Sequence, residues 1–95
     1  MKQKIFNSEV YELHAVANVR WNEGFNNEEY AIDEWKHSEQ GQWVFEHCKE
    51  ITKEGPVKFP RLNETFWTSF RTTITAYVKP ADWTFYLLKW KKNVY

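Results

Sequence analysis

The sequence predicts a small α+β fold: a three-stranded antiparallel sheet, made of an N-terminal strand and a C-terminal β-hairpin, with two helices packed on one face. Three observations carry this. Val10 to Trp21 alternates with a period of two; Glu28 to Lys53 carries helical stripes with capping residues; and residues 71–78 form a β-branched run followed by a Pro turn. The 95 residues suffice for one domain, 1–95, and leave no room for a second.

In the first strand Tyr11, Leu13, Ala15, Ala17, Val19 and Trp21 share one face, while Glu12, His14, Asn18 and Arg20 share the other with Val16. A helix competes, because Glu, Leu and Ala tolerate one. Asn22-Glu23-Gly24 breaks the pattern. Asn26 or Asn27 then caps a helix with Glu28 and Glu29 in its first turn, where carboxylates suit the helix dipole. Its apolar stripe is Ala31, Ile32 and Trp35. Ser38 caps a second helix running to about Lys53, with Trp43, Val44, His47, Cys48 and Ile51 on its apolar face and Gly55-Pro56 as its stop. On one continuous helix the two stripes would point about 140° apart, so a break is expected near residues 37–41.

Residues 56–63 read as loop, with a short helix capped by Asn63 competing over Asn63–Phe70. Lys79-Pro80-Ala81-Asp82 reads as a tight turn with Pro at its favoured second position. Trp83–Lys91 then returns as a strand. Its register would place Ile74, Ala76, Val78, Trp83, Phe85 and Leu87 on a core face. Arg71, Tyr77, Tyr86 and Trp90 would share the outer face.

The formal net charge of zero hides an asymmetry. Residues 1–52 carry five basic and ten acidic side chains; residues 53–95 carry eight basic and three acidic. Aromatic residues are 19% of the chain, including six Trp, and a core this small cannot enclose them all. The single cysteine, Cys48, allows no intrachain disulfide. No apolar run approaches the length of a membrane span, and no signal h-region follows Met1. A cytoplasmic location is therefore expected.

No chemistry-bearing motif emerges. HExxH, CxxC and Gly-rich phosphate loops are missing from the sequence; Gly24, Gly41 and Gly55 are isolated. His47 and Cys48 are neighbours that diverge by about 100° on a helix, a poor metal pair. A Cys48 nucleophile with His14 as base lacks any supporting signature. The carboxylate pairs Glu28/Glu29, Asp33/Glu34 and Glu46/Glu50 read as a solvated helix face. We therefore expect neither enzyme activity nor a metal or other cofactor.

Two surfaces could bind. Glu23–Glu50 holds eight acids and two bases, interleaved with aromatics. Tyr30, Trp35 and Trp43 would anchor a partner protein bearing a basic patch. Glu28, Glu29, Asp33, Glu34 and Glu39 would steer it. The alternative is single-stranded nucleic-acid binding on the outer hairpin face, with Arg71, Tyr77, Tyr86, Lys89, Trp90 and Lys92 stacking bases and meeting phosphates. A homodimer burying that face would remove the second reading. A short chain of this composition suits a non-catalytic accessory protein of the kind bacteriophages encode to regulate or inhibit host proteins, and protein binding is the leading expectation.

Overall fold

The computed structural model describes residues 2–22, 27–58 and 69–90. Within them the chain runs β1 (Gln3–Phe6), β2 (Glu9–Asn22), α1 (Glu28–His37), α2 (Glu39–His47), β3 (Lys49–Lys58), β4 (Ser69–Val78), α3 (Pro80–Trp90). The α+β class holds, but the sheet has four strands and the helices number three among the described residues. The sheet is antiparallel between neighbours, in the order β1-β2-β4-β3.

The largest correction falls on residues 83–90, which form a helix and not a returning strand. Trp83, Tyr86 and Trp90 recur at i, i+3 and i+7, a helical stripe hidden in a segment so apolar that a period of two fitted as well. Pro80 did not discriminate. A type I turn with Pro at its second position has nearly the backbone of a helix's first turn, and Pro80 opens α3. The Trp83 N–H donates to the Lys79 carbonyl at 2.8 Å, closing that turn.

The second helix also stops sooner than predicted. Its Cys48 cap precedes β3, so Ile51 reaches the core from a strand. Glu50, at φ 48°, lies in the bulge that turns the chain from helix into sheet. Gly55, at φ 103°, lies in a second bulge of β3, so Gly55-Pro56 shapes a strand where a helix stop was expected. Part of the expected 56–63 loop, residues 56–58, belongs to β3; the rest, and nearly all of the alternative helix at Asn63–Phe70, lies outside the described residues. β1 is an added strand. Asn7 and Ser8, both at positive φ, make the two-residue turn joining it to β2.

Other expectations hold. The Asn27 side chain caps α1, accepting from the Tyr30 N–H at 2.9 Å. Ser38 supplies the predicted break. Its N–H and hydroxyl both donate to the Trp35 carbonyl at the end of α1, while its Oγ accepts from Gly41 N–H at the start of α2.

The sheet's two faces differ. Helices cover one, where Val16, Ala17, Val19, Ile74, Ala76 and Val78 meet Val44, Cys48 and Tyr86. The predicted β2 face is split by a bulge between Ala15 and Ala17. One extra residue moves Ala17, Val19 and Trp21 to the helix side, beyond His14, while Tyr11 stays opposite. On the helix-free face Phe6, Tyr11 and Tyr77 pack as an aromatic cluster, with ring centroids 5.1 and 5.9 Å apart. Lys4 on β1 pairs there with Glu50 on β3 at 2.8 Å. In a flat sheet these outermost strands would lie about 14 Å apart. Their contact shows that the sheet curls toward this face as a half-barrel, which is how Tyr11 and Tyr77 become buried without helical cover.

A second aromatic cluster lies on the helix side, and Trp21 stacks on Phe70 at 4.4 Å outside both. Around buried Tyr86 lie Trp43, Trp83 and Trp90, at ring distances of 5.1–5.4 Å. Tyr30, Phe45 and Phe85 remain about half exposed.

Candidate surface on the first helix

α1 lies across the sheet with Ala31, Ile32 and Trp35 inward. At 100° per residue, Glu29, Tyr30, Asp33 and Glu34 fall together on the opposite side. The structure sorts the predicted acidic residues into two groups.

Glu28 and Glu39 are engaged within the protein. The Glu28 carboxylate accepts from Lys53 Nζ at 2.7 Å and from Thr72 Oγ1 at 2.6 Å, and Trp21 Nε1 donates to Thr72 Oγ1 at 3.0 Å. This chain ties α1 to β2, β3 and β4. The hydrogen bond from Lys53, then that from Thr72, lowers the Glu28 pKa below its ordinary value. A carboxyl with a depressed folded-state pKa stabilises the fold above its unfolded pKa, and that contribution is lost as pH falls through the folded value. Glu28→Gln keeps an acceptor for Thr72 but cannot titrate. Its urea midpoint should therefore fall less steeply than that of wild type below about pH 4, where unfolded carboxyls protonate; parallel acid limbs would contradict this.

Glu39 meets Lys89 of α3 at 2.7 Å. Lys89 belonged to the basic set of the nucleic-acid alternative, so acidic and basic halves of the sequence neutralise one another here. Two further acids behave alike, Glu9 with Lys79 and Glu50 with Lys4.

Glu29 and Glu34 enter no ion pair among the described residues, and Asp33 has only His37 at 3.8 Å. Tyr30 is 54% exposed, and the neighbouring Glu34 carboxylate, the largest cause, raises its pKa. Trp35 and Trp43 are partly buried. Trp35 Nε1 donates to Gln40 Oε1 at 3.1 Å, and Trp43 stacks with His47 at 4.4 Å. The predicted anchors therefore separate: Tyr30 is outside, and Trp35 and Trp43 support the core.

The alternative surface is not brought together. Its hairpin does not form. Tyr86 is buried on the helix side and Tyr77 on the opposite face. Trp90 packs on Trp43, Arg71 lies on β4, and Lys92 is outside the described residues.

Cys48 is buried, and burial raises its thiol pKa to about 12, far from nucleophile territory. His14 stacks on Trp83 at 4.1 Å and contacts Glu12 at 3.0 Å. Among the described residues no group of three His, Cys, Asp or Glu could hold a metal ion, and no helix is long and apolar enough to cross a membrane.

Comparison with protein-family models, curated proteins and solved structures finds no match.

Among the described residues three grooves border α1: one, of about 480 Å³, lies beside Glu28, Glu29, Asp33, Lys36 and Lys53, and two more flank the helix. One, of about 280 Å³, lies toward β3 between Trp35, Phe45, Ile51 and Ile74. The other, of about 380 Å³, runs between α1 and β2, with Asn18, Val19 and Arg20 on one wall and Tyr30, Glu34 and Trp35 on the other. The groove residues on β2 were missed from sequence. Their one signal was length, since a 14-residue strand cannot be matched along its whole edge by a four-residue partner.

Proposed function

We propose that this chain is a protein-binding module that occupies a partner's surface through the outward side of α1, with Tyr30 as anchor and Glu29, Asp33 and Glu34 as complement to a basic patch. One observation carries the reading. The protein's own lysines neutralise Glu28, Glu39, Glu9 and Glu50 but leave the α1 acids around an exposed tyrosine without a lysine partner among the described residues. An exposed tyrosine beside a carboxylate suits recognition: its apolar ring gives contact area and its polar tip sets orientation. Acids around it raise encounter rates with a cationic surface. Regulation or inhibition of a host protein by steric occupation is the activity this implies, with no catalytic step.

Affinity capture with paired baits tests it. Wild type and the double variant Glu29→Lys, Glu34→Lys should melt within about 0.5 kcal/mol of each other, as exposed substitutions do. The wild-type bait should retain a partner that elutes with salt, and the variant should lose it. Equal retention by both baits would remove α1 from the interface.

A further inference from the structure

We infer that the groove between α1 and β3 is a binding site for a small carboxylate with an apolar body, such as a phenyl ring on a short chain. The site stands apart from the proposed interface. Tyr30 and Glu34 line the opposite groove, so neither reading depends on the other. The groove holds about 280 Å³, close to the lower limit of about 300 Å³ for small-molecule sites. Ile32 and Trp35 of α1, Phe45 of α2, Ile51 of β3 and Ile74 of β4 give it an apolar lining. The Trp35 and Phe45 rings stand 6.1 Å apart at 53°, an open corner that suits a flat ring. Phe45 is 48% exposed, so a ligand lying there takes apolar surface out of water.

The charged part of the lining is cationic. Lys36 and Lys53 stand on it and, among the described residues, no carboxylate does. Both positions follow from local structure. Lys36 succeeds Trp35 in the last turn of α1, where a cation also suits the helix dipole. Lys53 lies opposite Ile74 in the ladder, which turns it to the helix side of the sheet. The two lysines differ in charge balance. Lys53 is neutralised by Glu28 at 2.7 Å. Lys36 enters no ion pair among the described residues, and its ammonium lies 5.8 Å from the Phe45 ring centroid. One unneutralised ammonium beside an apolar corner matches one negative charge on an apolar body. A dianion would be repelled by Glu28, Glu29 and Asp33, which line the neighbouring groove together with the two lysines. A cation entering this groove would meet the lysines.

The test titrates the whole protein with three probes: 3-phenylpropionate, its neutral amide 3-phenylpropionamide, and the cation 3-phenylpropylamine. Binding is read by NMR shifts of backbone amides and tryptophan indoles. The carboxylate should move residues 32–36, 45 and 51–53 together, with one Kd on the order of 0.1–1 mM, as fits about a dozen heavy atoms in an open groove. The amide should bind about three- to fivefold more weakly, and the amine more weakly still. Lys36→Gln, an exposed change, should weaken the carboxylate by about the same factor and leave the amide's Kd where it was. No saturable shift at these residues up to about 10 mM carboxylate, ten times the weakest expected Kd, would overturn the inference. Equal Kd values for the three probes would also overturn it, since the groove would then be an apolar patch without charge selection. So would tightest binding by the amine, which would give the region to the α1 acids, or a Lys36→Gln protein that holds the carboxylate as well as wild type.

Discussion

Gly41→Ala should destabilise the protein by about 2–4 kcal/mol, the range of an overpacked site that cannot easily relax. Glycine inside a helix ordinarily costs about 0.5–1 kcal/mol against alanine, so propensity alone predicts the opposite sign. The corner between α1 and α2 reverses it. A Cβ on Gly41 would stand 2.0 Å from the Trp35 carbonyl oxygen, 2.8 Å from its carbon and 2.9 Å from Lys36 Cα. These are backbone atoms at the end of α1, and Ser38 ties them to α2 through bonds to the Trp35 carbonyl. The helices could make room only by parting, which would break the caps and pull Val44 from the core. Glu46→Ala, exposed on the same helix and away from the corner, serves as the control and should be neutral or slightly stabilising. Urea denaturation of the two variants measures the difference. A Gly41→Ala midpoint equal to wild type would show that the corner is not close-packed.

The second large effect belongs to Tyr86. Its ring is buried among Trp43, Trp83 and Trp90, and its hydroxyl donates to the carbonyl of Val16. Val16 is the extra residue of the β2 bulge, so its carbonyl has left the regular ladder with β4. Tyr86→Phe preserves the packing and removes that donor, leaving a buried carbonyl without a partner at about 1–3 kcal/mol. Tyr86→Ala adds a cavity and should cost about 3–5 kcal/mol, which approaches the whole stability of a domain this size. Thermal unfolding followed by tryptophan fluorescence reads both. A Phe variant as stable as wild type would mean that the bulge carbonyl finds another donor.

These two positions show what the sequence could and could not convey. The caps at Asn27 and Ser38 were legible because capping depends on side chains local to the helix end. The β4 core face, Ile74, Ala76 and Val78, was legible because a β-branched run with strict alternation has few other uses. α3 was misread because nearly every residue from Trp83 to Leu88 is apolar or aromatic, so periods of 2 and 3.6 both fit. β3 was misread because Ile51 extends the α2 stripe; the bulge at Glu50 that takes it into the sheet depends on tertiary contacts. A one-residue bulge at Val16 moved half of β2 to the other face, and no local pattern announces it.

The surface followed the same logic. Exposure of Glu29, Tyr30, Asp33 and Glu34 was readable from helix geometry. That Glu28 and Glu39 are neutralised internally was not, because their partners Lys53 and Lys89 sit on the two segments whose secondary structure was misassigned. The nucleic-acid alternative depended on the hairpin register, and with residues 80–90 helical its members divide, Tyr86 and Trp90 lying on the helix side and Tyr77 on the opposite face of β4. What remains is narrower than the acidic strip of the sequence: one helix side, an exposed tyrosine and an adjacent groove.

The most direct measurement places a benzoylphenylalanine photo-crosslinker at Tyr30 in the native host, with the same probe at exposed Glu54 of β3 as control. Irradiation should give a discrete protein adduct from position 30. That adduct should fade when Glu29 and Glu34 are replaced by lysine, and position 54 should give none. No adduct from position 30, or the same adduct in equal yield from both positions, would contradict the assignment of α1 as the binding surface.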